Sequence, residues 1–257
     1  MAIGGRGRDD QAGAADEGVV VSLLELEHAT KRFTSGQRET HVLRDVSLTL
    51  NAGELAAVYG LRRSGRTTLL RVVAGIVPLD EGVVRFEGRD LAGRAGQALG
   101  VAIGYCTPLF DPAHGGLVAD QVAVGLLARG IGRTRARAQA EEALERVAVS
   151  DAAHLDPRDL HLDELVRAGI ARALVTAPRV LLLDEPTNGV DVHERDGILA
   201  LLRDLADRGM AVLATAGEPI ARADRMLTLD AGHLRVGEAP DPKGVVALPS
   251  RHVEPVG

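Results

Sequence analysis

The sequence predicts an α/β fold with a mainly parallel sheet, an N-terminal antiparallel β part and a helical lobe. Three observations carry this prediction. Short apolar runs such as the LAAVY of "GELAAVYG" and the VLLL of "RVLLLDEP" read as strands buried on both faces. Strand-like and helix-like segments alternate around them, as parallel sheets require. Before them, "VVVSLLELEHATKRF" and "HVLRDVSLTL" alternate polar and apolar residues like half-buried antiparallel strands.

Taken in order, residues 1–18 mix Gly, Ala and charge without any period, and are expected to form a disordered tail. The strand "GELAAVYG" leads into a glycine-containing loop, and the helix "TTLLRVVA" after it stops at Gly75, a residue suited to the position just past a helix end. Next, "EGVVRFEGRDL" reads as a hairpin piece closed by turn glycines. From Asp120 to about Val149 the pattern is helical, with Ala136, Ala140, Leu144 and Val147 on one face. This is the centre of a lobe expected over about residues 110–168. The run "RVLLLDEP" is a buried strand ending in acids, and "GILALLRDLADRGMAVLATAG" is a helix, a turn and another buried strand. One domain over residues 19–239 and a flexible tail over 240–257 complete the reading; no internal repeat is visible.

Composition narrows the function classes. A chain of 257 residues with 46% apolar content supplies an ample core. A net charge of −6, no Trp, two Tyr and three Phe argue against nucleic acid as a partner, since that partner calls for a basic face or stacking platforms. No apolar run approaches the ~18 residues of a membrane span, which predicts a cytoplasmic protein. The single cysteine, Cys106, has no second cysteine for a disulfide or a metal site and is expected to be a small buried side chain.

The chemistry centres on "YGLRRSGRTTLL". Gly60, Gly65 and Thr67 stand where a phosphate-binding loop, G-x-x-x-x-G-K-[ST], needs them, between a strand and a helix; Arg66 occupies the lysine position. Backbone N–H groups of Leu61, Arg62, Arg63, Ser64, Gly65, Arg66, Thr67 and Thr68, together with the helix N-terminus, are expected to hold phosphate oxygens. The Thr67 hydroxyl would face Mg²⁺. A second element fits: "VLLLDE" puts Asp184 at the end of a buried strand, where an acid can hold the metal, with Glu185 beside it.

The order of these motifs resembles the ATP-binding subunits of ABC transporters, from about Leu24 to Leu234. "LRDVSLTL", "LLRVVAGIVPLDEGVVRFEGRDL", "IARALVTAPRVLLLDEPTNGVD", "LLRDLADRGMAVLAT" and "ADRMLTLDAGHL" carry the resemblance. The opening "TKRFTSGQRETHVLRDVS" is most similar to the macrolide-exporter and lipoprotein-release branch. The resemblance implies that Phe33 stacks on adenine, that Asp184 serves Mg²⁺, that Glu185 polarises the attacking water, and that Asp191 belongs to a loop crossing to a second subunit. It also implies ATP as ligand, a membrane permease and a second ATP-binding subunit as partners, and a place on the inner face of the cell membrane.

Several positions depart from that family's pattern. Arg66 replaces a compact ammonium with a longer planar fork. Arg63 stands where the family has glycine, and a side chain held at φ > 0 costs roughly 1–2 kcal/mol. Counting on from "IGY" without a gap puts Pro108 where the family has a glutamine that senses Mg²⁺ and water, and Ala216 follows Thr215 where the family has a histidine on the γ-phosphate. The signature L-S-G-G-Q becomes Leu160, His161, Leu162, Asp163 and Glu164, which turns acid toward the facing subunit's phosphate. These departures favour a weakly or non-hydrolytic ATP-binding subunit, the structural or regulatory half of an asymmetric transporter with a more complete partner. The alternatives are an active ATPase motor for export or for lipoprotein or lipid extraction, in which Glu185 suffices, and a soluble regulatory ABC protein.

Overall fold

The structure is a computed structural model that describes residues 22–36, 38–92, 102–107 and 115–237. The expected tails at 1–18 and 240–257 and the departure at Pro108 lie outside the described residues.

Two strands, β1 (Ser22–Ser35) and β2 (Arg38–Asn51), form a long antiparallel hairpin. After β3 (Leu55–Tyr59) and helix α1 (Arg66–Val73), strand β4 (Glu81–Phe86) pairs antiparallel with β1, and β5 (Arg89–Asp90) pairs with β4. The resulting sheet has the order β2-β1-β4-β5. The expected antiparallel part and hairpin piece are therefore one sheet. Helix α1 ends as anticipated, with Gly75 at φ 70.

The second sheet contains β3, β6 (Ile103–Cys106), β7 (Val180–Leu183), β8 (Ala211–Ala216), β9 (Arg225–Asp230) and β10 (His233–Gly237) in the order β10-β9-β3-β8-β7-β6. Its pairs are parallel except β10 with β9. Every residue of β7 and β8 is buried, which is why these runs are apolar throughout instead of alternating. Successive side chains still point to opposite faces. On β3 and β7, Leu55, Ala57, Leu181 and Leu183 join the core shared with the helical lobe, whereas Ala56, Val58, Val180 and Leu182 join the core beneath α1 and the hairpin. Burying each such leucine stabilises the fold by about 1.5–3 kcal/mol.

Between β6 and β7 lies the lobe, built from α2 (Val118–Leu127), α3 (Arg133–Arg146) and α4 (Leu162–Leu174). The helical stretch expected from Asp120 to about Val149 is thus two helices, because Gly130 at φ 78 ends the first and Gly132 precedes the second. Ala136, Ala140, Leu144 and Val147 are fully buried, so the predicted apolar face is the packed one. Helix α5 (Val192–Asp207) then leads into β8. Its Arg203 bonds Asp224 (2.6 Å), and Asp224 also accepts from Leu55 N–H (2.8 Å), which ties α5 to the first residue of the strand that enters the glycine loop.

Candidate functional site

Strands β3, β8 and β7 lie side by side and parallel, with Tyr59 next to Ala216 and Leu183 next to Ala214. The segments leaving their carboxyl ends must therefore meet, and a ligand site belongs there. They enclose an open cleft of about 1280 Å³. One wall is the run Gly60–Thr68; the other is Asp184, Glu185, Thr187 and Asn188 after β7, with Ala216, Gly217 and Glu218 at the end of β8. Thr40 and Val42 of β2 and Arg195 of α5 complete the rim.

The loop wraps tightly for reasons visible at single atoms. A Cβ on Gly60 would lie 2.5 Å from Ser64 Oγ and 2.6 Å from the Leu229 carbonyl, so only glycine fits. Gly65 takes φ 108, and a Cβ there would lie 2.8 Å from the Val42 carbonyl. Arg63 does sit at φ 69, as its position in the loop foretold, and carries the left-handed strain of a side chain there. No side chain caps α1 and no acid lies in its first turn, which leaves its N-terminal amides directed at the cleft. The hydroxyl of Ser64 is buried without a hydrogen-bond partner. A loop with unspent donors at a helix N-terminus has the chemistry of an anion cradle.

Across the cleft the two acids are ordered by one hydroxyl. Thr215, fully buried, donates to Asp184 Oδ1 (2.9 Å) and accepts from the Glu185 N–H (3.0 Å). Glu185 itself adopts φ 50, an uncommon backbone for a non-glycine residue and one that concentrates at functional positions. Asp184 and the partly exposed Thr67 line the same cleft and offer hard oxygen donors, a set that suits Mg²⁺.

Arg66 joins the two walls. It is only 5% exposed, and its Nη2 donates to Glu185 Oε1. Its Nη1 is buried with no partner, and a Cβ on Gly217 would lie 3.8 Å from it. The guanidinium therefore spans from α1 to the ends of β7 and β8, a reach that the small residues Ala216 and Gly217 leave open. On the rim, Arg62 and Arg63 are exposed. Arg195 is already engaged, with Nε on the Val190 carbonyl (2.9 Å) and Nη1 on Glu218 (3.1 Å).

Gly60, Leu61, Arg62, Arg63, Ser64, Gly65, Arg66, Thr67, Thr68, Asp184 and Glu185 are thus brought together, and Phe33 and Asp191 are not among the residues lining the cleft. Phe33 pairs across the hairpin with Thr40, which does line it, and Lys31 Nζ sits 5.4 Å from the Phe33 ring centroid in a cation–π contact. Asp191 caps α5 by accepting from His193 N–H (3.0 Å). The segment Leu160–Glu164 opens α4, where Glu164 reaches back to accept from His161 N–H (2.8 Å). Cys106, at the end of β6, is pushed up to about 12 by burial, so it is an inert thiol packed near the site. The Arg66–Glu185 pair and the Thr215 bridge were not anticipated; the usable signal was an arginine, longer than lysine, placed opposite a strand that ends in two acids.

The sequence profile of the ABC transporter family matches residues 43–188. Methionine import ATP-binding protein MetN 1 of Rhodococcus jostii is 38% identical over 219 residues, covering 82% of this chain and 65% of that protein. Macrolide export ATP-binding/permease protein MacB of Salmonella typhimurium is 31% identical over 221 residues, covering 84% of this chain and 34% of that protein. This chain therefore spans only part of each relative. Among solved structures, a nucleotide-free ATP-binding cassette from an ABC transporter superimposes with a TM-score of 0.74 at 22% identity, covering 84% of this chain and 92% of that one. A bacterial ABC transporter cassette solved as a dimer gives 0.73 at 21% identity, covering 82% and 96%. No helix among the described residues is long and apolar enough to cross a membrane.

Proposed function

Because the chain belongs to the ABC transporter family, we propose that it is an ATP-binding subunit that binds nucleotide weakly and hydrolyses it poorly or not at all. It acts as the structural or regulatory half of an asymmetric transporter, held at the inner face of the membrane by a permease and paired with a more complete cassette. In this reading the Gly60–Thr68 loop takes the phosphates, Thr67 and Asp184 hold Mg²⁺, Phe33 lies against the base and Asp191 faces the partner subunit. Bound Mg²⁺ would offset phosphate charge. Glu185 occupies the position that orients the attacking water.

The observation that carries the reading is the Arg66–Glu185 ion pair, which places in the phosphate cradle a guanidinium that a carboxylate already engages, so that phosphates must displace the carboxylate to bind. Ala216 offers only a methyl where a terminal phosphate needs a donor. Asp163 and Glu164 present charge of the wrong sign for a facing nucleotide. The ordered Thr215 bridge to Asp184 and Glu185 favours the second reading, an active ATPase motor for export or extraction, because it keeps both acids in place.

Calorimetric titration with Mg-ATP at low and at physiological salt tests retained binding. Binding in the high-micromolar range or weaker, fading with salt and improved by Arg66→Lys with Arg63→Gly, is expected, since charge without a close wrap is screened. Tight, salt-insensitive binding by the unaltered chain contradicts it.

A further inference from the structure

We propose that Glu185 is an internal ligand of the phosphate cradle: its carboxylate occupies Arg66 when the cleft holds no nucleotide, and a nucleotide's phosphates must displace it. This inference rests on the reading of the cleft as a nucleotide site and adds how that site is regulated.

Three observations and one point of chemistry support it. First, Arg66 lies at the head of α1, among the loop amides that would meet a phosphate, and it is only 5% exposed. Its Nη2 is spent on Glu185, while its Nη1 remains buried and unpartnered. A buried guanidinium nitrogen without an acceptor costs free energy that an incoming anion recovers. Second, the Glu185 side chain keeps 28% of its surface exposed, so it can swing toward solvent once released. Third, its backbone position does not depend on the pair. Thr215 holds its N–H and its carbonyl accepts from Asn188 N–H (3.0 Å). Fourth, a lysine in place of Arg66 would present one nitrogen instead of a fork, whereas the arginine fork can serve a carboxylate and a phosphate in turn through equivalent donors.

The consequence is competition between two anions for one cation. Phosphate entry and release of the Glu185 carboxylate are the same event, so the free energy of the ion pair is subtracted from nucleotide affinity. Nucleotide occupancy is then the switch that frees Glu185, and the empty site holds it neutralised.

The test uses the full chain and two probes that cannot be turned over, metal-free ADP and inorganic pyrophosphate, titrated calorimetrically. Glu185→Gln and Glu185→Ala are each expected to bind both probes about tenfold more tightly than the unaltered chain, the order expected for one charge-assisted hydrogen bond. The gain should persist at physiological salt, where a general change in surface charge is screened. In an Arg66→Met background, adding Glu185→Gln should change affinity little, since there is no guanidinium to compete for; Glu218→Gln on the same rim should give less than half the gain on a logarithmic scale. Equal affinity of the unaltered chain and both Glu185 variants overturns the internal-ligand inference and leaves the nucleotide site standing. So does an undiminished gain in the Arg66→Met background. Failure of every variant to bind either probe at low salt overturns the nucleotide site itself, and the inference with it.

Discussion

Arg66 extends from the first residue of α1 across the cleft and donates to Glu185, which follows the buried strand β7. A short ammonium at the same place would stay with the loop that carries it. The longer fork instead couples the two walls of the site, so that the state of the phosphate cradle and the state of the acid are no longer independent.

Thr215 should matter more to the fold than its size suggests. Replacing it with valine leaves Asp184 Oδ1 and the Glu185 N–H without their shared partner inside a buried junction. The expected loss is about 1–3 kcal/mol. Urea unfolding of Thr215→Val, compared at constant slope with the unaltered chain, measures it, and a shift below about 0.5 kcal/mol contradicts the bridging role.

Arg63 stores strain at φ 69 that glycine would not carry. Arg63→Gly is expected to be neutral to stabilising, by up to about 1 kcal/mol after the extra unfolded-state freedom of glycine is subtracted. Thermal denaturation checks this; a clear destabilisation would mean that the arginine side chain contributes contacts that outweigh the backbone strain.

Repairing one element should not restore turnover. Ala216→His adds a donor at the end of β8, yet leaves Arg66 in place of a compact ammonium and the acidic Asp163–Glu164 pair unchanged, and groups that act as a unit are strongly non-additive. Steady-state phosphate release by Ala216→His is expected to remain within a few-fold of the unaltered chain; rates typical of the family's active members would show that the defect is local.

In acid, Asp80 should report on the hairpin. Its carboxylate accepts from Arg32 N–H (2.5 Å) and from Lys31 Nζ (3.1 Å), and these bonds, the backbone one foremost, hold it below the usual carboxylate range. A lowered folded-state value means that the stabilisation is complete above about pH 4 and is lost as pH falls through the folded value. Stability measured by denaturant titration should therefore decline less steeply below pH 4 in Asp80→Asn than in the unaltered chain, and equal slopes would contradict the assignment.

Much of the architecture is legible from local chemistry. The strand–loop–helix unit around Gly60 and Gly65 can be read because its glycines answer to close approaches and positive φ, both short-range demands. The all-apolar runs of β7 and β8 announce strands buried on two faces. What stays hidden is pairing across distance. That Arg66 would find Glu185, or that one hydroxyl at Thr215 would serve both acids, follows from the strand order β3-β8-β7, and no local pattern encodes that order. The break at Gly130 shows the opposite limit: helical periodicity on both sides masked a turn that a single left-handed glycine creates.

The most direct measurement is ATP turnover by the isolated chain beside its Glu185→Gln variant, under saturating Mg-ATP. Carboxylate chemistry at Glu185 is the only difference between the two proteins, and with the cleft saturated, when phosphates and not Glu185 engage Arg66, turnover is limited by what the rest of the site lacks, a donor at Ala216. Equal turnover is the expected result, with both at the level of the preparation's background. Turnover by the unaltered chain that is clearly higher and abolished by Glu185→Gln would contradict it and establish Glu185 as a working general base despite its arginine.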